Sequence, residues 1–307
     1  MSNIIFGKFE LSNYAHCAIV TDDNIASLYG ISGDNVYLLP QGEQAKSFKR
    51  VEELCRWLLS RNTSVCDTVV AVGGGSIGDT VGFVASIYKR GMKILHVPTT
   101  LLAQIDSSIG GKTAINLDGI KNAVGTFYYD DTLIDVDFLK TLDGQQRLNG
   151  LGELFKYRML SKDIDRVYND GNGVSIDVIK ACVDYKKHVC DQDAFCNGIR
   201  NILNFGHTVG HAMELSYGIP HGVAVANGMY YETLIAAKTN VCSYEYANKW
   251  MKEIQANFRI YPLNEAILTL TLNDKKNVDN NVCLILPKEF NETHFTLDEL
   301  KELLLND

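Results

Sequence analysis

A chain of 307 residues with 46% hydrophobic and 21% charged side chains is long enough for one large folded domain or two. It has neither a disordered composition nor any run approaching the ~20 apolar residues of a membrane span. Its net charge of -8 argues against nucleic acid as a general partner and leaves anionic small molecules to local basic pockets.

The opening MSNIIFGKFELSNYAH lacks a basic stretch followed by a sustained apolar core, so a cytoplasmic chain without a membrane partner is expected. In chain order, the strand candidates are CAIVTD (17–22), NVYLLP (35–40), DTVVAVGGG (67–75), KILHVPTT (93–100) and TLIDVD (132–137), separated by amphipathic helical patterns. Such alternation indicates a mostly parallel sheet with helices on its faces. Beyond residue 143, QQRLNGLGELFKYRML, SIDVIKACVDYKKHV, the segment 200–214 and GVAVANGMYYETLIAAKT show helical periodicity, and NVCLILP (281–287) is a late strand candidate. The expected fold is α/β: a Rossmann-like nucleotide-binding domain over 1–142 with a mostly parallel sheet, then a mainly helical domain over 143–307.

After the strand TVVAV comes a glycine-rich turn in which Gly73, Gly75 and Gly78 satisfy G-x-G-x-x-G between a strand and a helix. There the missing side chains let backbone N–H groups and a helix N-terminus approach a pyrophosphate. The fingerprint is incomplete, because the next strand ends in Val97-Pro98-Thr99-Thr100, without the acid that would hold a ribose. The segment Thr21-Asp22-Asp23-Asn24, at the end of an earlier strand candidate, offers carboxylates to accept from ribose hydroxyls, although Asx-rich strand ends are usually turns.

Segments 104–116 and 119–129 concentrate Asp106, Lys112, Asn116, Lys121 and Asn122 among small residues. A lysine flanked by glycines suits close approach to an oxyanion, and Arg90 could add a bidentate phosphate contact. Taken singly, each reads more readily as a surface charge or a helix cap than as a ligand contact.

Wound at 3.6 residues per turn, RNILNFGHTVGHAME puts Arg200, Asn204, His207, His211 and Glu214 within roughly 80° of one another. The stripe lacks the Lys/Glu mixture of a wetted helix flank. Glu153 lies upstream in LGELFKYR, with Lys156 one turn on, and His221 opens HGVAVANGM. One carboxylate with two histidines and open coordination positions is the donor set of a catalytic zinc or related divalent ion, though spacing does not choose the two histidines. The eight cysteines form no C-x-x-C pair and read as inert thiols; the spacing of Cys182, Cys190 and Cys196 matches no common zinc module.

The strings VTDDN, PQGEQAKS, GGGSIGDTVGFVASIYKRG, VPTTLLAQIDSSIGGKTAIN, GIKNAVGTFYY, GELFKY, RNILNFGHTVGHAME, PHGVAVANGM and NDKKN, in this order from about residue 20 to 277, resemble those of the 3-dehydroquinate synthase family, within the sugar phosphate cyclases. The resemblance implies NAD and a divalent metal, zinc first and cobalt second, acting on an anionic sugar phosphate in a cytoplasmic homodimer of the shikimate pathway. It implies Glu153, His207 and His221 as metal ligands, with His211 beside the metal either supporting those ligands or relaying protons. Asp22, Asn24, Glu43, Lys46, Gly74, Gly75, Asp79, Thr99, Thr100 and Lys121 are the cofactor set. Asp106, Lys112, Asn122, Lys156, Lys186, Arg200 and Asn204 are the substrate set, with Arg90 and Lys112 on the phosphate, and either Lys275 or Lys276 adds a further contact.

Two departures stand out: Val223 replaces a family glutamate after His-Gly, and Cys196 replaces one four residues before Arg200. The chain is also shorter than most relatives. Alternative activities are another sugar phosphate cyclase or a metal-dependent polyol or glycerol phosphate dehydrogenase. A binding module without catalysis is the remaining possibility, disfavoured by the intact Glu153, His207, His211, Arg200 and Lys112.

Overall fold

The computed structural model describes residues 3–129, 131–171, 173–196, 198–273, 277 and 281–305. The chain divides into two compact units, Met1–Arg147 with Val183–Asp191, and Leu148–Cys182 with Gln192–Asp307. Among the described residues, no helix is long and apolar enough to cross a membrane.

The first unit is built on strands β1 (Ile4–Phe6), β2 (Ala18–Asp22), β3 (Val36–Leu39), β4 (Thr68–Gly73), β5 (Lys93–Pro98), β6 (Lys112–Leu117), β7 (Ile120–Phe127) and β8 (Asp131–Ile134). Six of them form one sheet in the order β1-β8-β5-β4-β2-β3, with every pairing parallel. β2 is buried throughout and β4 and β5 at all but their first residue, as continuous apolar runs in a doubly covered parallel sheet must be. Helices α1 (Asp23–Tyr29), α2 (Phe48–Ser60) and α3 (Gly75–Ile87) connect the central strands. Asp22 caps α1, its Oδ1 accepting from the N–H groups of Asn24 and Ile25 at 3.0 Å each, and Ser47 caps α2. Val51, Leu54 and Leu58 of α2 pack with Val69, Ala71, Val81 and Val84 in one core.

β6 and β7 pair antiparallel as a separate hairpin, turning at Asp118 and Gly119, both at positive φ (49° and 79°). Asp-Gly is a favoured pair for such a turn. The hairpin lies on α3, close enough that a Cβ at Gly82 would come within 2.4 Å of Thr113 Cγ2.

The second unit contains α4 (Gly144–Leu160, its first residues counted with the first unit), α5 (Lys162–Asp170), part of α6 (Ile176–Gln192), α7 (His207–Tyr217), α8 (His221–Lys238), α9 (Tyr244–Asn257), α10 (Glu265–Leu270) and α11 (Leu297–Leu305). A hairpin of β9 (Val282–Leu286) and β10 (Asn291–Phe295) completes it, so the late strand candidate forms and is buried throughout. Val209, Met213 and Ile235 pack with Val282, Leu284, Phe295 and Leu300, and Phe155, Phe205, Met229 and Trp250 form a neighbouring cluster.

The segment 200–214 is not one continuous helix. A 3₁₀ turn covers Ile199–Asn204, Gly206 takes φ 78°, and α7 starts at His207. A Cβ on Gly206 would lie 2.5 Å from Met229 Cγ and 2.8 Å from the Val225 carbonyl, so the close passage of α8 leaves room there only for glycine. Arg200 and Asn204 therefore belong to a different element from His207, His211 and Glu214.

Candidate active site

In the first unit, Gly74 caps α3 and the opening turn of that helix faces a hollow lined by Gly73, Gly75, Asp79, Pro98, Ser107 and Lys112, among others. A Cβ on Gly74 would stand 3.2 Å from Thr100 Cγ2, and one on Gly75 would stand 2.9 Å from Ser107 Oγ. Any larger residue would fill the hollow. The Ser107 hydroxyl is buried there without a hydrogen-bond partner, and the Thr99 hydroxyl, at the end of the next strand, is likewise buried without one, which is costly unless a ligand supplies it.

Beside this turn lies a polar network. Lys46, 4% exposed, donates to Asp79 at 2.5 Å and also to Asn122 Oδ1. Asn116 donates to Glu43 at 2.6 Å and accepts from the Asn122 N–H at 2.9 Å. Burial raises the Asp79 carboxyl, and Lys46 pulls it back. Lys186 donates to the Asp106 carbonyl at 2.7 Å and to its carboxylate, where a π turn over Ala103–Ser107 presents both groups. Lys112 is exposed with its ammonium over the Phe127 ring, and Asn24, Arg90 and Lys121 are exposed as well. Asp22 serves as a helix cap, the turn role that its neighbourhood suggested.

His96 of β5, 9% exposed, faces the underside of the glycine helix; a Cβ on Gly78 would sit 3.4 Å from its Nδ1. Burial pushes its imidazole down from 6.5 to about 4. The unfolded chain therefore takes up this proton first, and the stability tied to a neutral His96 is complete above pH 6.5 and lost as pH falls toward 4. About 2 kcal/mol should be gone by pH 5. His96→Gln is expected to shrink the gap between urea midpoints measured at pH 7 and pH 5, and an unchanged gap would refute this.

In the second unit, Glu153 of α4 is fully buried, with 0% exposure. Its Oε1 lies 3.3 Å from His207 Nε2 and 3.2 Å from His221 Nε2, while Oε2 meets the Lys156 ammonium, itself 1% exposed. His207 Nδ1–H donates to the Phe205 carbonyl at 3.1 Å, so the Nε2 lone pair is turned toward the carboxylate. Two electron-rich atoms so close need a cation near them. His211 is exposed; its ring centroid is 5.4 Å from that of His207 and 5.7 Å from that of His221, and nitrogens of the three histidines come within 4.8 Å of one another.

Burial raises the Glu153 carboxyl, but Lys156 and the two imidazoles more than compensate and hold it well below the usual range. Burial likewise lowers His207 more than Glu153 can restore. For His221, burial is outweighed by Glu153 and Glu214, which lift its imidazole to about 9.

Glu214, one of the stripe residues but absent from every site assignment made from sequence, proves to be the carboxylate that orients His221: it accepts from His221 Nδ1–H at 3.0 Å and turns Nε2 toward Glu153. Its position seven residues after His207, on the same helix face, was the available signal. Val223 is buried in the apolar cluster with Phe155 and Ile219. Three glycines bring these helices together. A Cβ on Gly152 would fall 1.9 Å from the Gly222 carbonyl oxygen, one on Gly222 1.8 Å from that of Asn149, and one on Gly228 1.9 Å from that of Gly206. The Gly222 N–H also donates to Asn149 Oδ1 at 2.6 Å.

Arg200, 2% exposed, donates to the Ala194 carbonyl at 2.9 Å, and its own N–H donates to Asp193 at 3.1 Å; Asn204 is half-buried at the end of the same turn. Lys275 and Lys276 lie outside the described residues.

Residues 36–149 match the model of the 3-dehydroquinate synthase N-terminal region and residues 150–277 that of its C-terminal region. The chain is 38% identical to the 3-dehydroquinate synthase of Dictyoglomus thermophilum over 97% of its own length and 89% of that protein. It is also 38% identical to that of Alkaliphilus metalliredigens over 93% and 88%. A solved 2-deoxy-scyllo-inosose synthase, complexed with carbaglucose-6-phosphate, NAD+ and Co2+, shares 26% identity at a TM-score of 0.85, covering 99% of this chain and 96% of that one. With both halves of the family model matched and relatives at this identity over nearly their full length, the chain belongs to the 3-dehydroquinate synthase family.

Proposed function

We propose that the chain converts 3-deoxy-D-arabino-heptulosonate 7-phosphate to 3-dehydroquinate and inorganic phosphate by transient oxidation, phosphate elimination, re-reduction and intramolecular aldol closure. The observation that carries this reading is the buried Glu153 carboxylate, met at 3.2–3.3 Å by nitrogens of His207 and His221. An oxygen and two imidazole nitrogens suit zinc, with cobalt next, and the Co2+ and NAD+ of the similar inosose synthase support both groups here. When bound, the ion would polarise the reacting hydroxyl and then the ketone, while NAD takes and returns a hydride, leaving no net oxidation.

Glu153, His207 and His221 would hold the ion, and Glu214 would keep His221 in the orientation that coordination needs. The ammonium of Lys156, paired with Glu153, would stabilise developing oxyanion charge. The exposed His211 would pass protons between solvent and the buried groups. The Gly74–Gly75 turn, with the unpartnered Thr99 hydroxyl, Thr100, Asp79 and Lys46, would cradle NAD, joined by Asp22, Asn24, Glu43 and Lys121. Arg90 and Lys112 would take the phosphate, and Asp106, Asn122, Lys186, Arg200 and Asn204 the rest of the substrate.

Incubating the protein with the heptulosonate phosphate, NAD and Zn2+ or Co2+ should release phosphate and yield dehydroquinate in equal amounts, without lasting NADH absorbance. Accumulating NADH would indicate a dehydrogenase, a different carbocycle from a different sugar phosphate would indicate another cyclase, and absence of any product with every metal would reject catalysis. The family resemblance further supports a homodimer, which a monomeric mass by light scattering would contradict.

A further inference from the structure

A second cluster of donor atoms lies outside the Glu153 constellation, on the β9–β10 hairpin. The antiparallel register sets His294 opposite Cys283 and Glu292 opposite Ile285, so Cys283, Glu292 and His294 share one face. Val282, Leu284, Leu286 and Phe295 point the other way into the core. The Cys283 sulfur, an imidazole nitrogen of His294 and a carboxylate oxygen of Glu292 all lie within 4.8 Å of one another. Cys283 is buried and takes part in no disulfide, while Glu292 and His294 are exposed. Asn201 donates to Glu292 Oε1 at 2.7 Å and so orients the carboxylate, and its own amide oxygen accepts from Cys196 Sγ at 3.4 Å.

We propose that Cys283, Glu292 and His294 form a cation site of their own, suited to a borderline-soft divalent ion of the zinc class. A sulfur, an imidazole nitrogen and a carboxylate oxygen select such an ion over magnesium or calcium, which take oxygen ligands. Tetrahedral zinc needs donors about 3.3–3.8 Å apart. Binding would draw the three donors, which lie within 4.8 Å of one another, to that spacing, and water would take the fourth position. On binding, the Cys283 thiol passes its proton to solvent and the thiolate becomes the ligand. The ion joins both strands of the hairpin, and through Asn201 it fastens them to the 3₁₀ turn that carries Arg200. The Cys283 carbonyl also accepts from Thr208 Oγ1 at 3.0 Å, one residue beyond His207.

The proposal is independent of the reading of the Glu153 site, and cobalt titration of the whole chain separates the two. Glu153, His207 and His221 offer no sulfur, so a near-ultraviolet thiolate-to-cobalt charge-transfer band reports the hairpin site, while the visible ligand-field bands report both. The expected result is a thiolate band that saturates at one equivalent, vanishes in Cys283→Ser, and needs about tenfold or more cobalt in His294→Ala and Glu292→Gln. Absence of the band in the unaltered chain, or its persistence in Cys283→Ser, would overturn the proposal. Should Cys283→Ser fail to fold, the surface variant His294→Ala decides: unchanged cobalt affinity of the thiolate band overturns it, and weakened affinity supports it.

Discussion

Glu153→Gln should lower turnover by a factor of about a thousand or more, equivalent to about 4 kcal/mol of lost transition-state stabilisation, and should strip the chain of bound zinc. The amide keeps the shape but removes the charge that the Lys156 ammonium and the His207 and His221 nitrogens share. Because Glu153 is 0% and Lys156 1% exposed, the ammonium would remain buried without its partner, and breaking such a pair costs about 3–5 kcal/mol of stability. Metal content after dialysis, kcat and the urea midpoint read the three effects. Glu153→Asp keeps the charge with a shorter reach and should lose activity with less stability loss. Retained zinc with turnover within tenfold of the parent would remove Glu153 from the chemistry.

Gly152→Ala is expected to damage stability and activity together although it adds one methyl and no charge. That methyl would land 1.9 Å from the Gly222 carbonyl oxygen and 2.6 Å from Gly222 Cα, against backbone that no rotamer change can relieve. α4 and α8 must separate by about 1 Å or more, and overpacking of this kind costs about 3 kcal/mol at its upper range. Gly152 is next to Glu153 and Gly222 is next to His221, so the same displacement pulls apart the atoms that meet at 3.2 Å. A misplacement near 1 Å is worth about a hundredfold in rate. Gly144→Ala, on the same helix with nothing within 4 Å of the added Cβ, is the control and should be neutral. Equal urea midpoints and kcat/KM for the two variants would refute the close-approach argument.

The parallel sheet was legible because β2, β4 and β5 are apolar runs bounded by turn residues, a pattern that burial on both faces requires. The β6–β7 hairpin was hidden: its outer strand is largely exposed and lacks a regular apolar/polar alternation, and the Asp118-Gly119 signal sits among residues that read equally well as a ligand loop. β1, three residues long, offers no period to detect. At the site, residue types and family strings pointed to Glu153, His207 and His221 before any geometry, and the structure brings these three together. What linear spacing did not carry was the break at Gly206, imposed by Met229 and Val225 of α8, and the reach of Glu214 across to His221, which depends on how closely α7 and α8 pass. Both are consequences of tertiary approach.

The interruption before His207 also sets the electronics of that ring. Side chains on a helix lean back toward its start, so the first residue of α7 holds its imidazole near the positive pole of the aligned peptide dipoles. That field disfavours a second proton and works in the same direction as burial, which already holds His207 below its ordinary value. A continuous helix from Arg200 would have set the ring mid-span, where the dipoles exert little net pull. By starting the helix anew there, Gly206 helps keep a nitrogen lone pair ready to be donated at neutral pH.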